Sequence, residues 1–149
     1  NYAQLQANLF LNDAATAIEP RQLAASDREA TFGLVLRTHR NRGGTRLAGE
    51  GEAAQAACRA VRLDRELDFE GKLLVMKMDV ESHEVAAIEG MMGLLAKNHC
   101  VLQIEIWSAT EELLARRLPF ITGLLARHGI RPVRQIDSDY FFVSERKPA

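Results

Sequence analysis

Asp79, Glu81, His83 and Glu84 fall within a stretch of six residues, with Ser82 among them. Carboxylates and an imidazole this crowded can orient a substrate, take a proton from a hydroxyl, or hold a cation. His83 is the only one whose ordinary pKa lies near neutrality, which suits a general base. A helix follows directly, however, and its N-terminus disfavours the protonated ring. Glu81 and Glu84 fit chemistry or the plain role of acidic residues in a first helical turn. Asp79 can orient a donor or an acceptor, or accept backbone N–H groups from the coming helix. With Glu105 these groups make a conceivable oxygen-and-imidazole metal site, but the spacing matches no metal signature and no metal is assigned.

The elements that must position these groups run from Gly71 to Trp107 (GKLLVMKMDVESHEVAAIEGMMGLLAKNHCVLQIEIW). Leu73 to Met78 is a nearly continuous apolar run, as in a central parallel strand covered on both faces. Val85, Ile88, Met92 and Leu95 then mark one face of a helix. Val101 to Trp107 is again strand-like, with Glu105 near its far end. A right-handed βαβ unit of this kind puts both strand C-termini on one edge, where open α/β sheets bind ligands. Asp79 and Glu105 would share that edge. Lys77, inside the first strand, calls for a partner if it is buried, and Glu105 on the neighbouring strand is the obvious one.

The segment KMDVESHEVAAIEG resembles the signature of the FkbM family of S-adenosylmethionine-dependent methyltransferases. Lys77, Asp79, Val80, Glu81, His83, Glu84 and Gly90 sit at matching positions. Ser82 replaces the usual Gly, and Ile88 stands where Leu is common. Glu105 matches the family's acidic residue on the next strand. Leu63-Asp64 resembles its Leu-Asp dipeptide, and the likeness extends to NYAQLQANLFLN and to HGI and DYFFVSE near the end. The resemblance implies an α/β, class I methyltransferase (Rossmann-like) sheet with a C-terminal antiparallel hairpin. It implies S-adenosylmethionine as cofactor and O-methylation of a sugar or secondary-metabolite hydroxyl. Asp79, Glu81, His83, Glu84 and Glu105 would then be catalytic candidates, and Ser26, Asp27 and Asp79 cofactor-binding candidates. Asp27 fits an ordinary turn as well.

Bulk properties suit one domain: 149 residues, 47% hydrophobic, formal net charge -1. That charge points to neither a nucleic-acid nor a membrane partner. The basic stretch Arg37 to Arg46 reads as a solvated loop. No apolar run approaches the ~20 residues of a membrane span and no signal peptide is evident, so a cytoplasmic protein is expected. Cys58 and Cys100 lack metal-ligand spacing, and Cys100 opens a strand, as a reduced buried thiol would.

Around the central unit, residues 1–12 read as a helix carrying Tyr2, Leu5 and Leu9 onto the sheet. Residues 16–26 read as an edge or irregular strand interrupted by Pro20, and 31–36 as an extra strand. Residues 38–52 read as loop, 53–60 as a short helical turn, and Asp64 as the cap of the next turn. Ser108 to Glu111 is a capping-box pattern. Leu114, Leu118, Ile121 and Leu125 continue that helix, which Pro119 should end or kink and Gly129 should stop. Residues 131–136 and 140–143 form a hairpin around Asp137-Ser138-Asp139.

No Gly-rich turn joins a buried strand to a helix, so the cofactor loop and first two strands of the resembling fold would precede Asn1. The expectation is a single, N-terminally incomplete methyltransferase-like domain. In the family's sheet those two strands lie between the third, near 16–26, and the fourth, at 73–79. Without them the fourth exposes an unpaired edge, open to a homo-oligomer or an upstream segment. A non-catalytic methyltransferase-like binding or structural module is the alternative, motivated by Ser82. A nicotinamide or flavin domain lacks any fingerprint here.

Overall fold

Two sheets form, and the first takes its strands from the N-terminal part of the chain. Helix α1 spans Tyr2–Leu11 and strand β1 is Ala24–Ala25. Strands β2 (Ala30–Val35), β3 (Arg46–Leu47) and β4 (Ala56–Val61) follow, then a single turn of helix, α2 (Leu63–Glu66). The first sheet has the order β1-β4-β2-β3, with only β1 and β4 parallel. The rest of the chain is β5 (Leu73–Met78), α3 (Glu84–Glu89), α4 (Met92–Lys97), β6 (His99–Glu105), α5 (Glu111–Ala126), β7 (Ile130–Ile136) and β8 (Asp139–Ser144). Its sheet runs β5-β6-β8-β7, with β5 and β6 parallel and β8 antiparallel to both neighbours. The chain is thus a mixed α/β structure with two four-stranded mixed sheets. The computed structural model describes residues 2–36, 44–49, 51–108 and 110–145, so most of the basic stretch, 37–43, lies outside the described residues. Among the described residues no helix is long and apolar enough to cross a membrane.

The core sits on one face of the second sheet. Cys100, Leu102 and Ile104 alternate inward along β6 and meet Ile88 of α3, Leu94 and Leu95 of α4, and Ile121 and Leu125 of α5. Phe142 of β8 and Ile130 of β7 complete the same cluster. The buried Cys100 thiol, its pKa pushed up to about 11 by burial, stays protonated and packs as a small hydrophobe. The hairpin lies where the sequence placed it, within a residue at each strand end.

Several expectations are corrected. β5 is covered on one face only, Leu73 and Val75 being 66% and 73% exposed, although it does have the unpaired edge expected of it, pairing with β6 alone among the described residues. Residues 53–60 are mostly strand β4 rather than a helical turn, because their backbone pairs with both β1 and β2. Strand structure in 16–26 shrinks to Ala24–Ala25, and the two-residue β3 lies inside the expected loop. Helix α1 buries Leu9 but leaves Leu5 exposed. Thr110, not Ser108, caps α5, accepting the Leu113 N–H at 3.3 Å, and α5 continues through Pro119. Gly129, at φ 67°, provides the expected stop.

The helix after the acidic turn is broken in two. The Gly90 carbonyl accepts the Asp64 N–H at 3.0 Å, while Met91 N–H reverts to the Ile88 carbonyl, a tighter turn. Asp64 therefore does not cap α2. Its carboxylate takes two hydrogen bonds from Arg62, at 3.0 and 2.7 Å, and one from the Gly93 N–H at 3.3 Å. Burial opposes the ionised form, but these donors outweigh it and hold the Asp64 pKa below its ordinary value.

Candidate functional site

The turn after β5 is built around two consecutive residues in the left-handed region, Glu81 (φ 47°) and Ser82 (φ 79°). A side chain there costs roughly 1–2 kcal/mol, which Gly avoids. The strain is held by a carboxylate–guanidinium pair whose carboxylate is buried. Glu84, 2% exposed, accepts the Ser82 N–H at 3.0 Å and binds the Arg117 guanidinium of α5. Arg117 also reaches Ser82 Oγ at 3.3 Å and the Trp107 carbonyl at 3.4 Å. Burial, the largest influence, pushes the Glu84 pKa above the usual carboxylate range despite Arg117 and Ser82 N–H. Glu84 thus locks the turn onto α5 and is almost wholly out of contact with solvent.

His83 turns the other way, toward the first sheet. Its Nε2 lies 3.0 Å from Ser26 Oγ, and Ser26 Oγ–H donates to Asp27 Oδ1 at 3.0 Å. A carboxylate only accepts, so the single hydroxyl proton goes to Asp27 and His83 Nε2–H must donate to Ser26. That assigns the tautomer and leaves Nδ1 as the accepting nitrogen. Ser26 is therefore no activated nucleophile, since its proton points away from the base. Burial lowers the His83 pKa, only partly opposed by Asp27 and reinforced by Arg28, and the ring stays neutral at neutral pH. Phe32 of β2 meets the imidazole edge to face, centroids 5.9 Å apart, and Arg28 lies over Phe32.

Close backbone approach makes this meeting possible. A Cβ on Gly90 would stand 2.6 Å from the Ser26 carbonyl carbon and closer still to its oxygen. Only Gly lets α3 come down onto the end of β1. Arg62 stitches the same junction, donating to the Asp27 carbonyl at 2.9 Å and the Glu89 carbonyl at 3.5 Å as well as to Asp64.

The remaining candidates separate. Asp79 is exposed just beyond β5, on a cleft of about 440 Å³ along the free edge of that strand, which Ala25, Leu63, Ala87 and Met91 also line. Glu105 ends β6 and pairs with Lys77, Nζ to carboxylate 4.0 Å, but Lys77 is exposed rather than buried. Ser26 is fully buried, while Asp27 beside it is partly exposed. Among the described residues no three His, Cys, Asp or Glu side chains converge as metal ligands.

Arg62 and Arg117 were not legible as site residues. Arg117 adjoins the apolar face set by Leu114, Leu118 and Ile121, so its position says only that it flanks the core side of α5. Arg62 directly precedes Leu63-Asp64, but nothing in that adjacency names Asp27 or Glu89 as its acceptors. No family model, no curated protein and no solved structure matches the chain.

Proposed function

We propose that the chain is an S-adenosylmethionine-dependent O-methyltransferase of the FkbM kind, acting on a hydroxyl of a small molecule such as a sugar or secondary metabolite. The observation that carries this reading is the meeting of Ser26-Asp27 with His83 and Gly90, 57 positions separating Ser26 from His83. The pieces picked out by the resemblance are the ones the fold stitches together. The order β5-β6-β8-β7, with β8 alone reversed, agrees with the fourth, fifth, seventh and sixth strands of a class I methyltransferase sheet. The free edge of β5 agrees with a site for that sheet's first two strands.

The cleft beside Asp79 suits the donor in chemistry: apolar walls for a sulfonium's carbon chain and a carboxylate for an ammonium or ribose hydroxyl. Asp79 would hold the cofactor there, with Asp27 on the neighbouring loop. The bound cofactor supplies an electrophilic methyl group. The chain's own task is to hold a hydroxyl in line with it and to accept the hydroxyl's proton. His83 Nδ1 is the neutral base for that step, and Ser26 and Asp27 fix the ring through Nε2. Calorimetric titration of the full-length protein with S-adenosylmethionine tests the reading. Saturable binding is expected, and its absence from folded protein overturns it.

One observation favours the second reading, a methyltransferase-like module without catalysis: Ser82 occupies the left-handed backbone where the resembling family has Gly. The variant Ser82→Gly separates the two. Unchanged cofactor affinity means Ser82 is accommodated, and a large gain means the natural site is degraded.

A further inference from the structure

A second cleft, of about 500 Å³, opens on the α5 side of the acidic turn. Trp107, Leu113 and Phe120 line it and are 60%, 54% and 51% exposed. Large apolar side chains left in water around one concavity mark a binding site more often than chance exposure. Ser82 and Val85 of the turn form its inner wall, on the side of the turn away from the His83 ring.

Among the described residues the charged groups lining this cleft are two guanidiniums, Arg116 and Arg117, each paired with a carboxylate. Arg117 is neutralised by Glu84. The other guanidinium, Arg116, is engaged among the described residues by Glu112, one turn earlier at 2.6 Å, and both of these side chains are exposed. Exposed pairs of this spacing contribute little and exchange readily, so an incoming anion can replace Glu112 at the guanidinium. The polar equipment is otherwise sparse: Ser82 Oγ already takes a hydrogen bond from Arg117, which leaves Ser108. A sugar, with a hydroxyl on nearly every carbon, would leave most of its polar groups unpaired here. A flat aromatic ring would pair with Trp107 and Phe120.

We infer that this cleft binds an aromatic hydroxy acid whose ring packs on Trp107 and Phe120 and whose carboxylate pairs with Arg116. This binding does not depend on the methyltransferase reading. Trp107 is the single tryptophan of the chain, so its fluorescence reports the cleft directly.

The test titrates the 149-residue chain, without S-adenosylmethionine, with 4-hydroxybenzoate and with its neutral counterpart 4-hydroxybenzyl alcohol. Saturable quenching by both is expected, with the acid about tenfold tighter, as one charge-assisted pair at a partly exposed site supplies. Arg116→Gln should abolish that preference and keep the alcohol's affinity, while Glu112→Gln should tighten the acid alone. Phe120→Ala should weaken both. Absence of quenching, equal affinities, or an Arg116→Gln variant that keeps the preference overturns the inference. So does a Trp107 signal that follows protein concentration alone with a dimer in sedimentation, which would give the cleft to a second copy. Binding here with no S-adenosylmethionine binding in the full-length protein would remove the methyltransferase reading and leave the aromatic-acid site standing.

Discussion

The two sheets are held by different means. The second sheet is backed by three helices and encloses Phe142, Ile104, Ile121 and Leu125, all fully buried. In the first sheet full burial is reached in the strands only at Ala60 and Val61. Polar and backbone contacts help to fix it to the rest: Ser26 to His83, Arg62 to Glu89, and the Gly90 backbone on Ser26. The lesson is that the candidate site lies at the seam. One wall is rigid through apolar packing, and the other is placed by a few directional bonds that a single substitution can undo.

The sharpest way to break this comparison is to remove one aromatic ring from each sheet. Phe142→Ala should cost about 3–5 kcal/mol of unfolding free energy, as for other buried aromatics. Phe32→Ala, at a half-buried position, should cost clearly less. Equal losses in denaturant titrations would show that the first sheet is packed as tightly as the second. Next in size, Gly90→Ala should cost about 1–3 kcal/mol through forced separation of α3 from β1. Hydrogen exchange should then quicken at Ser26 N–H, which donates to the Val61 carbonyl at 2.9 Å, while β6 keeps its protection.

The third test works in the opposite direction. Ser82→Gly should stabilise the chain by about 1 kcal/mol, since the left-handed backbone no longer carries a Cβ. Loss of the 3.3 Å bond from Arg117 trims that gain. The smallest effect is that of pH at the seam. The folded pKa of His83 is below its ordinary value because burial disfavours the charged ring. The native state therefore binds fewer protons than the unfolded one, and this contribution is complete above the ordinary histidine range. It is lost as pH falls through the lowered pKa. Stability measured at stepwise lower pH should show that loss, and His83→Gln should flatten the slope.

What was legible in the sequence follows the same division. The unit from β5 to β6 and the final hairpin could be read because buried faces impose a period, as Cys100, Leu102 and Ile104 do on β6. Strand β4 could not. Its Ala-Ala-Cys-Arg-Ala-Val favours helix by composition, and only pairing with β1 and β2 makes it extended. The acidic turn was legible as a cluster, but the fates of its members were not. Glu84 and His83 are adjacent, yet one is buried beneath Arg117 and the other faces Ser26, and both partners come from distant parts of the chain. The departure at Ser82 was readable because a missing Gly says something about backbone angle before any fold is known.

Along the uncovered side of β5 the side chains are Leu73, Val75 and Lys77. Two of these invite another strand to stack or zip against the ribbon, and the third resists it, because a lysine ammonium must be stripped of water before a further layer can form. Lys77 is therefore a gatekeeper of colloidal behaviour, whatever else it does. Its loose pairing with Glu105, at 4.0 Å, leaves the ammonium largely hydrated and so preserves that guard. The chain's shelf life at high concentration should hang on this one positive charge, and acetylating or replacing it would turn a quiet ribbon into a seed for aggregates.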